Sequence, residues 1–584
     1  MSFNSKDLSK RMKKVEGATV RHARRFVLKR WGNFREARRH IAVWVLLVGI
    51  LVGAAGVQFW WYQKSYTVDA HTTDGTYAEA VLGPVETLNP IFAESSAEEA
   101  ASKLLFARLL TYDATGEIGF DLASNMKVSE DGKEYVLRIR PDAQWSDGVY
   151  VRARDVVYTV NLIKNPTTRS SILGWDGVLV SSVDDLTVKF TLPSAYAAFP
   201  HAIQALPILP EHLLRDIEPS RMRENTFSTR PVGSGPFTLR LLQSIDDTNG
   251  RRIVHLARSQ NYHGGSARLS RVQLHTYKDT ESIQRALALS EINAANDLSV
   301  MTAKDVTSKR YSLSTVPIKS GVYSLFNTSS EMLKDADIRR ALQAGTDTTA
   351  VRESIADGIP PLHLPFVNNQ VGAEMPEPPV YSKQTAEKIL DDAGWARGSD
   401  GVRVKDGVRL ELSVVTMKNP DFEQALKIVS KQWQDLGIAV KTEIVDPTDV
   451  TQNVSQNILQ PRQYDVLIYQ LSIGADPDVY AYWHSSGAEE GYNFSKYNNA
   501  ISDDALVSAR TSTSPALRDA KYVTFAKQWL KDAPAIGLYQ ATMQYVHSSH
   551  VHVDAPSMSL NTPIGRYNSI LYWSVGERRV FATP

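Results

Sequence analysis

Two carboxylates stand close together in Gly474-Ala475-Asp476-Pro477-Asp478, on a loop that follows a buried strand. In open α/β sheets such loops border the crevice where ligands bind, so Asp476 can pair with a cationic group of a ligand. Alternatively, either aspartate caps the next helix by accepting a backbone N–H. Both readings stand for Asp476, and capping is preferred for Asp478. Tyr480 and Trp483 follow directly. Their rings suit either an apolar-walled pocket with few polar groups or the core.

Catalytic chemistry is harder to place. Gly233-Ser234-Gly235-Pro236 is not a G-x-S-x-G elbow, because one residue separates its glycines and Pro236 cannot start the required geometry. A tight turn with glycine at positive φ explains it instead. There is no H-E-x-x-H and no Walker loop. His550 and His552, with His547 nearby, share one face if the segment is a strand. A metal pair is one reading, and ordinary surface or strand histidines are the plainer one. Cysteine is absent, which removes disulfides, thiolate metal sites, thiol nucleophiles and thioether lipid anchors. The expectation is a binding protein, with no catalytic residue, metal or cofactor.

The elements that would hold these residues alternate between strand and helix. Tyr135–Arg140 and Asp184–Leu192 alternate apolar and polar in the strand manner. Val151–Asn161 reads as a helix, and Thr385–Ala393 reads as another, ended by Gly394. Phe422, Ala425, Leu426, Val429, Trp433 and Leu436 form one stripe at helical spacing, Gly437 stops it, and Ile438–Val445 continues as a strand. Helix followed by strand, repeated, predicts an α/β class.

Charge divides the chain unevenly. Residues 1–40 hold 13 Lys/Arg against 3 Asp/Glu, a balance of +10, so the remainder carries −9 of the net +1. No nucleic-acid partner is expected. The 22 residues Ile41–Tyr62 carry no charge and end in Phe59, Trp60, Trp61 and Tyr62. As a helix they reach about 33 Å, enough for a hydrocarbon core of about 30 Å, with an aromatic belt at the far interface. Length and bulky aromatics favour an uncleaved signal-anchor over a cleaved signal peptide. Basic residues before the span place the N-terminus in the cytoplasm and the body outside. The expected division is a basic arm over 1–40, a transmembrane helix over 41–62, a tether over 63–73, and then the body.

The body resembles a known family. Leu122–Gly148 contains a strand pair followed by Trp145-Ser146-Asp147-Gly148, and a helix then opens with Asp155-Val156-Val157. Thr87-Leu88-Asn89-Pro90 precedes them, and Leu206–Leu214, Pro231–Phe237, Ala386–Trp395 and Tyr464–Asp478 follow in order. Asp337–Asp347 departs from the usual pattern at Gly345-Thr346, and Tyr497-Asn498-Asn499 and Asp532-Ala533-Pro534 complete the series. Together these segments resemble the family 5 extracellular solute-binding proteins, the oligopeptide, dipeptide and nickel-binding receptors of ABC transporters.

The resemblance implies a two-lobed periplasmic-binding-protein (type II) α/β fold, with a ligand cleft between the lobes. It implies crossover strands near Thr315–Tyr323 and Leu538–His547, with lobe one over 74–318 plus 546–584 and lobe two over 319–545. In peptide-binding relatives an acidic residue of the Asp-Pro loop pairs with the ligand's α-amino group, a role that falls on Asp476. Trp145, in the signature region, and Asn89 are further candidates for the cleft wall. The implied function is a membrane-anchored receptor that captures peptides by lobe closure and hands them to permease subunits. A nickel chelate, an oligosaccharide or a signalling role on the same fold are the alternatives, the last suggested by the long basic arm.

Overall fold

The computed structural model describes residues 31–71, 74–113, 116–246, 250–306, 310–447, 449, 452–553 and 560–581. Helix α1 (Trp31–Tyr66) is 36 residues long, and within it Arg38–Trp61 is long and apolar enough to cross a membrane. Arg, Ala and Glu are good helix formers, so the helix begins inside the basic stretch rather than at residue 41. The arm's first thirty residues lie outside the described residues. The helix also runs past Tyr62, and Thr67–His71 then pairs with Glu577–Phe581 in a two-stranded ribbon. Over its described residues, the stretch expected to be a tether is therefore helix end and strand, while 72 and 73 lie outside them.

Helix α2 (Ser96–Leu105) starts where the sequence writes a capping box. Ser95 Oγ accepts the Glu98 N–H at 3.1 Å, and Glu98 Oε2 accepts the Ser95 N–H at 3.2 Å. The stripe read around Phe422–Leu436 is helix α3 (Pro420–Asp435), capped by Asn419, with Ala425, Leu426, Val429 and Trp433 buried. Gly437, at φ 88°, ends it, because this left-handed conformation favours glycine. Two further helices, α4 (Ala500–Thr511) and α5 (Pro515–Asp532), pack on each other.

A ten-stranded mixed sheet organises the body. In chain order its strands are β1 (Thr76–Leu82), β2 (Phe237–Asp246), β3 (Arg251–Arg258), β4 (Arg271–Tyr277), β5 (Ala294–Ala295), β6 (Tyr311–Phe326), β7 (Glu411–Met417), β8 (Ala439–Val445), β9 (Val466–Ser472) and β10 (Ala535–Ser548). Their spatial order is β8-β7-β9-β6-β10-β5-β1-β4-β3-β2. The two long strands sit at the centre, and they contain the stretches expected as crossovers. They pair antiparallel from Tyr311↔Ser548 to Leu325↔Ala535. Parallel β7–β8 and β7–β9 flank one end of this pair through β9, while β5 joins β10 at Val546 and His547 near the other. The first three residues of β9, Val466, Leu467 and Ile468, are wholly buried, as expected for a strand covered on both faces.

The register of the central pair slips between Pro317 and Gly321. Pro317 has no N–H to give the ladder, and the freed backbone turns to other partners. Lys319 donates its N–H to the Leu560 carbonyl at 2.8 Å. The Lys319 carbonyl accepts from Ile473 and Gly474 at 3.0 and 2.9 Å, and Gln540 Nε2 donates to the Ile318 carbonyl at 3.0 Å. The bulge thus ties the Asp476 loop and the 560 segment to one point.

The Gly233–Pro236 turn is structural for a different reason than expected. Neither glycine has positive φ. Both lie against the end of α2, where Gly235 donates to the Leu105 carbonyl at 2.8 Å. A Cβ on Gly233 would overlap that same carbonyl oxygen. Gly233→Ala is expected to destabilise the body by about 3 kcal/mol, read as a lower urea midpoint. An unchanged midpoint would refute the close-approach explanation.

Candidate functional site

A cavity of about 890 Å³ opens beside the bulge. One wall is the Ile473–Asp476 loop, a second is α2 with the segment after it, a third is Tyr196–Pro207, and the floor is Leu560–Tyr572. Gly474, at φ 81°, turns the loop, and Gln370 Nε2 holds it by donating to the Gly474 carbonyl at 2.9 Å.

Asp476 lines the cavity, as expected, but it has a partner within the chain. Arg518 Nη2, from α5, donates to Oδ1 at 2.6 Å and to Oδ2 at 2.8 Å. Burial opposes the Arg518 charge, but the Asp476 hydrogen bonds and charge outweigh it and hold the guanidinium above its usual range. Asp478 lies deeper. It faces Arg510 Nε at 3.5 Å and accepts the Tyr480 N–H at 3.4 Å, so the capping reading describes it in part. Burial pushes its carboxyl up, against the pull of Arg510. The Arg510 guanidinium is sandwiched at 4.6 Å between the rings of Tyr480 and Tyr196. Tyr480 supports the wall in this way without lining the cavity.

The other candidates fall elsewhere. Trp483 is buried in a core with Trp529 and Tyr323, with ring centroids at 5.5 and 6.0 Å. Trp145 is wholly buried in the main core, and its own backbone forms the turn to Gly148. Large rings fill the space between layers, and neither ring lines the cavity. Asn89 is also buried; it caps the short helix Pro90–Phe92 by accepting the Ile91 N–H, and only the neighbouring Pro90 reaches the cavity. His547 Nδ1 meets the Ser548 carbonyl at 3.2 Å. Among the described residues, no three His, Asp or Glu side chains are grouped to hold a metal ion.

Several lining residues were not read from the sequence. Glu99, Ser102 and Lys103 line the cavity from one face of α2, while Ala97, Ala100, Ala101, Leu104 and Leu105 fill the core behind them. Spacing of three and four residues puts them on one face, but the same pattern describes any solvated helix with a salt bridge. Neither Glu99 nor Lys103 forms a hydrogen bond or ion pair through its side chain among the described residues. Burial raises the Glu99 carboxyl. Burial lowers the Lys103 ammonium to about 8, with Arg108 adding to the shift and Asp121 opposing it. On the third wall His201 Nδ1 meets the Tyr112 hydroxyl at 2.8 Å, and burial lowers the imidazole. In the floor, Arg566 donates to Glu79 Oε1 at 2.9 Å and to the Tyr567 hydroxyl, and Tyr567 donates to Glu79.

A partly polar, open cavity at the ends of sheet strands, beside two long central strands in a mixed α/β body, fits the type II periplasmic-binding-protein fold. The chain belongs to the bacterial extracellular solute-binding proteins of family 5, whose model matches residues 117–493. It is 25% identical over 475 residues to the oligopeptide-binding protein AppA of Bacillus subtilis, covering 78% of this chain and 84% of that one. The solved structure of that protein in complex with a nonapeptide aligns with a TM-score of 0.70 at 21% identity, over 87% of this chain and 100% of the other. NikZ of Campylobacter jejuni in complex with Ni(L-His) aligns with a TM-score of 0.72 at 23% identity, over 85% and 99%.

The unfolded value of a lysine is ~10.4, so between pH about 8 and ~10.4 the folded chain binds fewer protons at Lys103 than the unfolded chain. Stability therefore rises with pH across that window. In Lys103→Met that rise is expected to vanish, and the thermal midpoint at pH 7 to exceed the parent's by about 1–3 °C. Thermal melts from pH 7 to 10.5 test this, and a variant less stable at pH 7 with an unchanged pH slope contradicts it.

Proposed function

We propose that this protein is an externally displayed receptor, held at the membrane by α1, that captures short peptides between two lobes and delivers them to an ABC-transporter permease. The single observation that carries the ligand reading is the cavity of about 890 Å³ with charged groups on its walls. That volume lies in the upper part of the range for small-molecule sites. Membership of family 5 and the nonapeptide bound by the Bacillus subtilis relative support the same reading. The proposed lobes are 74–318 plus 546–584 and 319–545, hinged where β6 and β10 run between them, and closure is stabilised by contacts from both. The Arg510 carbonyl, accepting the Ala197 N–H at 3.0 Å across the two parts, fits such closure.

A second reading, a metal chelate, has one observation in its favour. His201 lines the cavity, and its Nδ1 is engaged by Tyr112, which leaves Nε2 facing other partners. Calorimetry of the 74–584 body against di- to decapeptide pools and against nickel–histidine separates the two. Heat from a peptide pool with none from the chelate is expected, and the converse overturns the peptide reading.

For the anchor, the full chain is expected to stay with membranes after an alkaline carbonate wash, and the chain lacking residues 1–73 to be released. Release of both would show that α1 is cleaved or does not insert.

A further inference from the structure

We propose that Lys103 and Arg108 anchor a carboxylate of the ligand. The inference rests on the solute-binding reading of this cavity and names which ligand group it fixes.

Hydrogen-bonding capacity carries the argument. The Lys103 ammonium has three donors, and none meets an acceptor among the described residues. Arg108 has five, and one of these N–H groups is used, by Nη1 on the Ala205 carbonyl at 3.2 Å. The nearby carboxylate of Asp121 is already engaged: it accepts from the Arg108 backbone N–H, from the Tyr262 hydroxyl and from His263, and it does not line the cavity. Glu99 and Asp113 are the remaining anions on this wall, and Asp113 Oδ1 already accepts the Glu117 N–H at 3.1 Å. Glu99 offers two oxygens against this excess of donors, and it makes no ion pair with Lys103 within 4 Å. Among the described residues the wall is therefore short of acceptors. A carboxylate supplies two oxygens with about four lone-pair sites and forms strong charge-assisted bonds with both cations.

On the opposite wall both Asp476 oxygens accept from Arg518, so the charges there are paired within the chain. Glu99, one turn before Lys103, is left to face a ligand cation, so a zwitterion would lie along α2.

The test compares peptide acids, the same peptides with amidated C-termini, and non-peptide di- and tricarboxylates, by calorimetry on the parent, Lys103→Met and Lys103→Arg bodies. Thermal melts check that each variant folds. The parent is expected to prefer acids over amides by about tenfold or more, Lys103→Met to lose that preference, and Lys103→Arg to keep most of it. If no peptide binds but carboxylates do, and Lys103→Met weakens them, the anchor stands and the peptide reading falls. If peptide acids and amides bind alike, or the preference survives in Lys103→Met, or neither acids nor carboxylates bind, the anchor is overturned.

Discussion

The antiparallel pairing of β6 with β10 is the constraint on which the body hangs. Two strands of 16 and 14 residues zip together at the centre of the ten-stranded sheet, whose other strands extend from them on either side. One proline interrupts the pairing. Because Pro317 gives no N–H and the register slips to Gly321, the Lys319 peptide is released from the ladder. It takes up the Asp476 loop on one side and Leu560 on the other. A break of a few residues thus sets where two of the cavity walls meet.

Around that point the charges sort into two kinds. Glu79–Arg566 is buried and Asp476–Arg518 partly so, and each pair joins segments far apart in the chain. Removing one partner of such a pair is costly because the other is left buried and unpaired, so they behave as structural rivets. Glu99, Lys103 and Arg108 lie within the same cavity without saturating each other. Groups left unsatisfied on a rigid helix lower stability and remain available to bind. The α2 wall carries this burden because its capping box and alanine-rich back fix its position.

Much of the fold was legible. The stripe over Phe422–Leu436, the alternation in Tyr135–Arg140 and the apolar run Ile41–Tyr62 each name their element, because periodicity is a local property. The ordered motifs from Leu88 to Pro534 point to the two-lobed fold. The site was legible only in part. Asp476 lies on a cavity wall, whereas Trp145 and Trp483 lie in the core, because an aromatic ring suits a core as well as a pocket. The lining pair Glu99 and Lys103 carries no local mark, since Glu and Lys four apart on a helix face is also what a solvated surface looks like.

By itself the sequence determined the charge asymmetry, the apolar span, the α/β class and the family, all of which depend on residue type and near-neighbour order. Only the tertiary structure decided the partner of Asp476. Arg518 lies 42 residues away on another helix, and no spacing rule predicts which of many arginines a folded chain brings to within 3 Å of a given carboxylate. It also decided that Lys103 has no hydrogen-bond partner among the described residues, because that depends on the positions of all the surrounding acceptors at once.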